Sequence, residues 1–278
     1  MEHQLNNRFS LLIAISLTLA SCSKPDNQAE TANQRFIQSL EWNEKHPPRE
    51  IVVPDDDYSV LSMADSHVGS TKNLDKFFSI ARANKASAVV MAGDLTTGNS
   101  EDYNVFEQHL PDTDSLPLFL MTGNHDLHTN GWEEFYSLFG SSTYTFSIKT
   151  PDATDLFICL ETGGGTLGDK QLAWLTNVLQ TSRSNYRNCI VFTHNNFFRT
   201  RHTDSTNPLV EEIDVLVELF TRYNVNMVIT GHDHKKDAEV FGRTTYIVMD
   251  ALKDGQSNAG FFRLNFKNGI IGYEFETI

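Results

Sequence analysis

Short apolar runs alternate along the chain with longer stretches in which apolar side chains return every three or four positions. From Tyr58 onward, Tyr58–Ala64, Ala88–Ala92, Leu118–Thr122, Leu156–Glu161, Cys189–Thr193 and Asn226–Thr230 read as strands, each bounded by Gly, Asp, Asn or Thr. Between several of them, Leu74–Ala83, Glu101–Leu110, Trp132–Phe139, Lys170–Gln180 and Leu209–Tyr223 carry the helical period. Strand followed by helix, repeated, indicates an α/β layered sheet. The carboxy-terminal stretch differs: Glu239–Phe241, Thr244–Met249, Gly260–Phe266 and Ile270–Phe275 follow one another without helices. Lys267-Asn268-Gly269 makes the last two a hairpin, so antiparallel strands completing a second sheet are expected.

The amino terminus breaks this pattern. Phe9–Ala20 is an apolar run of 12 residues, which suits the ~7–15-residue core of a secretory signal and falls short of the ~20 residues of a bilayer-spanning helix. Leu19-Ala20-Ser21-Cys22 follows and resembles the bacterial lipoprotein signal, in which a small-residue box directly precedes the lipidated cysteine. The resemblance implies cleavage after residue 21, a lipid on Cys22, and a protein held outside the cytoplasm on a membrane of the cell envelope, inner or outer. Residues 22–57 are polar and carry Pro25, Pro47, Pro48 and Pro54, a composition expected of a tether. Within it, Phe36, Ile37, Leu40 and Trp42 are spaced for a short amphipathic helix docking on a domain over 58–278. Asp55-Asp56-Asp57 reads as a solvated turn.

Composition narrows the function. With 22 basic against 36 acidic residues, the 278-residue chain carries a formal charge of −14, which excludes nucleic-acid binding by a general basic surface. Three cysteines make no disulfide framework. Cys159 and Cys189 lie in consecutive strands and read as buried small apolar residues, with a bridge between them left open.

Nine histidines follow the signal segment, and five lie directly after expected strands: His67, His125, His194, His232 and His234. Ligands of open α/β sheets gather outside the carboxyl ends of strands. Asp65-Ser66-His67 follows the first strand, Gly93-Asp94 the second, Gly123-Asn124-His125-Asp126 the third, His194 the fifth and Gly231-His232-Asp233-His234 the sixth. Two Asp, one Asn amide oxygen and four His give seven N/O donors, with one His to spare. That is too many for one tetrahedral zinc and suits two ions sharing a carboxylate.

In this order the motifs resemble those of the calcineurin-like metallophosphoesterase superfamily. The resemblance runs from Tyr58 to about His234 and implies a four-layer αββα sandwich of two mixed sheets flanked by helices. It implies one ion held by Asp65, His67 and His234, a second by Asn124, His194 and His232, and Asp94 bridging. His125 matches the catalytic histidine, and Asp126 stands where the family has an acid that orients it, which would keep it cationic. The implied activity is hydrolysis of a phosphomonoester or phosphodiester, a cyclic nucleotide included, by a hydroxide shared between two divalent or trivalent ions of Fe, Mn or Zn. Pyrophosphate-linked nucleotides or lipid headgroups are the alternative substrates, and a catalytically silent binding protein is the alternative class.

Departures from the family pattern narrow what the resemblance implies. Purple acid phosphatases have glycine where this chain has His67 and tyrosine where it has Thr97, so a non-purple branch is expected. Other phosphoesterases often carry a proline shortly after the fourth-motif histidine, where this chain reads His194-Asn195-Asn196-Phe197. Arg199, Arg201 and His202 after that motif, and His128 after the third, are candidate contacts for a small phosphoester. Oligomeric state is not legible. The anchor is directly testable: a Cys22→Ala protein should lose fatty-acid labelling, and labelling at the wild-type level would refute it.

Overall fold

The computed structural model describes residues 30–197 and 210–278. A five-stranded sheet runs in the order β12-β11-β2-β3-β4. Its strands are β2 (Tyr58–Met63), β3 (Ala88–Ala92), β4 (Leu118–Met121), β11 (Gly260–Lys267) and β12 (Ile270–Thr277). A seven-stranded sheet runs β1-β5-β6-β7-β8-β10-β9. It comprises β1 (Glu50–Val52), β5 (Tyr144–Lys149), β6 (Thr154–Cys159), β7 (Cys189–Phe192), β8 (Met227–Thr230), β9 (Asp237–Phe241) and β10 (Thr244–Val248). Both are mixed: β2, β3 and β4 are parallel while β11 joins β2 antiparallel, and β6, β7, β8 and β10 are parallel while β9 pairs antiparallel with β10.

The layers follow from the strand period. One set of alternate side chains meets between the sheets, where Val60, Val90 and Phe119 pack against Phe146, Phe157, Ile190 and Ile229. Phe119 of one sheet stacks on Phe146 of the other with ring centroids 3.6 Å apart. The other set faces helices. Leu61, Val89 and Met91 pack under α2 (Lys72–Ala83), α3 (Ser100–His109) and α4 (Gly131–Phe139). Ile158, Val191 and Val228 pack under α5 (Gly168–Thr181) and α6 (Val210–Arg222). The result is the αββα sandwich implied by the motifs.

Three features differ from the sequence reading. The four carboxy-terminal strands do not build one sheet: β9 and β10 extend the seven-stranded sheet and β11 and β12 the five-stranded one. The crossing loop is tied down by Asp254, whose carboxylate accepts the backbone N–H groups of Lys72 and Asn73 and so caps α2. The alternation of Tyr144, Phe146 and Ile148 forms β5, a strand not anticipated.

The short helix expected around Phe36, Ile37, Leu40 and Trp42 is present and packs on the domain, so the described part of the expected tether is folded. Helix α1 (Ala32–Lys45) starts at a capping box in which Thr31 and Gln34 exchange side-chain and backbone hydrogen bonds, and β1 pairs with β5. The segment looked like a tether because its buried face includes Arg35 and Ser39 beside Phe36, side chains that count as polar in a composition. The acidic turn is likewise engaged, with Asp56 paired to Arg187 at 3.2 Å.

Cys159 and Cys189 are free and buried. Cys189 lies opposite Leu156 in the β6–β7 register, three residues before Cys159, so the two thiols point to opposite faces of one sheet and cannot bridge. Burial pushes the Cys189 thiol up to about 12. Because the sheets meet through aromatic rings, Phe157→Ala should cost about 3–5 kcal/mol, read as a lowered urea midpoint; an unchanged midpoint would contradict close inter-sheet packing.

Candidate metal centre

All the motif residues sit where parallel strands end. The loop after β2 carries Asp65 and His67, that after β3 Asp94, that after β4 Asn124 and His125, that after β7 His194, and that after β8 His232 and His234. These loops reverse sharply: Asp65 (φ 57°), His67 (42°), Asp94 (50°), His232 (70°) and His234 (58°) all occupy the left-handed region. Non-glycine residues there are uncommon and costly, and their clustering is a mark of a functional site. Gly123 is required by contact, since a Cβ there would overlap the backbone nitrogen and carboxylate of Asp94.

The side chains converge in two groups. Asp65, His67, Asp94 and His234 offer ligand atoms all within 4.8 Å of one another, and so do Asp94, His194 and His232. Asp94 is common to both. In the first group His234 Nε2 lies 3.1 Å from Asp65 Oδ1 and 3.3 Å from His67 Nε2. In the second, Asn124 Oδ1 joins at 2.8 Å from His232 Nδ1 and 3.2 Å from His194 Nε2. His194 Nδ1 lies 2.9 Å from the Ala92 carbonyl oxygen and donates to it, which leaves the Nε2 lone pair aimed at the group.

The electrostatics favour cations. Asp65 and Asp94 are fully buried, yet both carboxyls are held below the ordinary range, because the surrounding imidazoles outweigh the burial that would raise them. Against the same burial, Asp94 and Asp65 raise His194 to about 10, so in the absence of ions its Nε2 carries a proton that a bound metal would displace. His67, for which burial dominates, is pulled down to about 4 and is therefore a neutral donor at physiological pH. Two buried carboxylates among N/O donors fit two divalent or trivalent ions and contain no thiolate that would select a soft metal.

His125 stands beside both groups without belonging to either. Its ring lies edge-on to His67 with centroids 4.5 Å apart, while its backbone N–H donates to Asp94 at 2.8 Å. His128 is next to it, with ring centroids 4.9 Å apart. Asp126 departs from the expected orienting role. Its Oδ2 accepts the N–H groups of Leu95 and Gly123 at 3.0 and 2.9 Å, and its Oδ1 those of Thr96 backbone and hydroxyl at 2.9 and 3.1 Å. It clamps the loops after β3 and β4 together rather than facing the His125 ring. Burial lowers the His125 imidazole, and Asp94 is the largest charge that opposes the fall.

Thr97 donates its hydroxyl to Asp102, and Tyr103 donates to the Asp126 carbonyl at 2.9 Å from a buried position. Arg199, Arg201, His202 and Cys22 lie outside the described residues. Thr162 was missed in the sequence. Its hydroxyl accepts the backbone N–H groups of His194 and Asn195 at 3.2 and 2.9 Å, and its place just beyond β6 is the signal that marked the other loops.

A family model for calcineurin-like phosphoesterases matches residues 58–236. The chain belongs to the calcineurin-like phosphoesterase family. GAP50, the anchor in the inner membrane complex of Plasmodium, shares the fold at 14% identity, with 80% of this chain and 85% of that chain covered and a TM-score of 0.66. A dimetal phosphatase from Danio rerio does so at 13% identity, covering 80% and 97%, with a TM-score of 0.61. No curated protein sequence matches the chain. Family membership and the two donor groups together support a metal-dependent hydrolase with a dinuclear centre.

The sharing of Asp94 has a measurable consequence in this phosphoesterase. Asp94→Asn should weaken both ions by at least about 10-fold, since substitutions even one shell further out cost ~10–100-fold. Metal analysis of the purified variant checks it, and loss of a single equivalent with the other retained at full affinity would contradict a shared ligand.

Proposed function

We propose that the protein hydrolyses a small phosphomonoester or phosphodiester outside the cytoplasm, anchored by a lipid on Cys22. Asp65, His67 and His234 hold one ion, Asn124, His194 and His232 the other, and Asp94 lies between them. When bound, two such ions supply Lewis-acid charge for the phosphoryl oxygens and a water of lowered pKa. Around them Asn124 and the imidazoles contribute neutral donors, so the net positive charge of the centre is preserved for the anionic substrate. His125 protonates the leaving oxygen, and its backbone N–H on Asp94 ties its position to that of the ions. Asp126 holds both in register through the loops it clamps.

The observation that carries this reading is the ring of His125, which stands against His67 but outside both donor groups. The side chains of Thr97 and Tyr103 support a non-purple branch, because the one has no phenolate and the other spends its hydroxyl on the Asp126 carbonyl. His128 beside His125, with Arg199 and Arg201, completes the proposed substrate contacts. Among the described residues no helix is long and apolar enough to cross a membrane, so the anchor reading rests on Phe9–Ala20 and Cys22.

His125→Ala tests the division between ligand and acid. Metal content should stay at the wild-type value while turnover of an alkyl phosphoester falls by ~10²–10⁴, the usual worth of general acid catalysis. The loss should shrink for a nitrophenyl ester, whose leaving group needs little protonation. A variant stripped of one metal equivalent would make His125 a ligand, and metal-replete wild-type protein inert on a broad phosphoester panel would favour a silent binding protein.

A further inference from the structure

Three consecutive residues just beyond β6 join helix α1 to the second donor group. Glu161 is buried, and its Oε2 accepts the Nε–H of Arg35 at 2.9 Å. Arg35 is 1% exposed and belongs to α1, the segment whose composition read as tether. The main chain of Glu161 is held on both sides by Gln171 of α5, which accepts its N–H and donates to its carbonyl, each at 2.8 Å. The next residue, Thr162, accepts the backbone N–H of His194, and its hydroxyl lies 2.7 Å from that of Thr193. The third, Gly163, lies so close to Gly123 that a Cβ would overlap the Gly123 carbonyl. Glu161–Gly163 thus touches the backbone beside two of the second-group residues, His194 and Asn124. The first-group residues Asp65, His67 and His234 come from the loops after β2 and β8.

We propose that Arg35 is a positioning residue for the second metal site: by holding Glu161 it fixes the Thr162–Gly163 wall on which the backbones of His194 and of Gly123, the residue before Asn124, rest. The proposal rests on the dinuclear reading of the centre. It makes α1 part of the catalytic unit, so a domain cut at residue 58 would lack a support of its own active site. A purely structural ion pair would behave differently. Breaking one lowers global stability, but folded molecules held well below their unfolding temperature would keep both metal affinities.

The test uses full-length protein titrated with Mn²⁺, each variant held well below its own unfolding midpoint, with electron paramagnetic resonance separating a spin-coupled pair from an isolated ion. Wild type should take up two ions and develop the coupled signal. In Arg35→Met the first ion should bind as in wild type and the second ~10–100-fold more weakly, the range found when a group supporting a ligand is removed, leaving an isolated-ion spectrum at intermediate Mn²⁺. Arg35→Lys, which keeps a cation for Glu161, should regain part of the second affinity. Should Arg35→Met fail to fold, Glu161→Gln, which can still accept from Arg35, should show the same selective loss in milder form. Unchanged affinities in the folded variants, or equal weakening of both ions, would overturn the positioning role while leaving the dinuclear reading intact. Wild-type protein that never binds a second ion would overturn both.

Discussion

Everything at the site depends on keeping two buried carboxylates within reach of one another. Asp65 and Asp94 are 0% and 1% exposed, and ionised groups in such surroundings are costly unless paired. Four imidazoles meet part of that requirement. Cations held among the same donors would meet the rest. The left-handed turns at Asp65, His67, Asp94, His232 and His234 follow from the same demand. Donors must double back from the strand ends to meet at one place, and the strain of each turn is tolerated because the loops are pinned by backbone contacts such as those to Asp126.

The centre also straddles the sandwich. Asp65, His67, Asp94 and Asn124 come from the five-stranded sheet, whereas His194, His232 and His234 come from the seven-stranded one. Each donor group therefore takes members from both sheets, and a shift of one sheet against the other would pull apart both groups. The aromatic stack of Phe119 on Phe146 is thus a functional dimension as well as a stabilising one, because interiors packed at crystal-like density do not deform continuously. Binding of ions at one end should in turn staple the sheets together.

What was legible in the sequence was local. Asp-x-His, Gly-Asp, Gly-Asn-His-Asp and Gly-His-x-His are short, each follows an apolar run, and their glycines mark places where backbones touch. The periods of two and of three to four residues likewise told most strands from helices. Apart from the unanticipated β5, the misses concern partners distant in the chain. Nothing in the sequence singled out Arg35, because its counter-charge, Glu161, is 126 residues away. Asp126 was expected to orient His125 because the resemblance places such an acid there, while its donors include Leu95 and Thr96 of another loop. The division of the last four strands between two sheets was hidden for the same reason, since alternation identifies a strand and says nothing of its neighbour.

The overall charge poses a final constraint on function. A chain of formal charge −14 repels an anionic phosphoester at long range, and steering by a general positive surface is not available to it. Attraction must therefore be local, within about 8 Å at physiological ionic strength. On the proposed reading the ions supply that reversal of sign themselves, so metal loading governs substrate capture as well as chemistry. Through the wall of Glu161, Thr162 and Gly163, the reversal of sign at the second site would then depend on helix α1 as well.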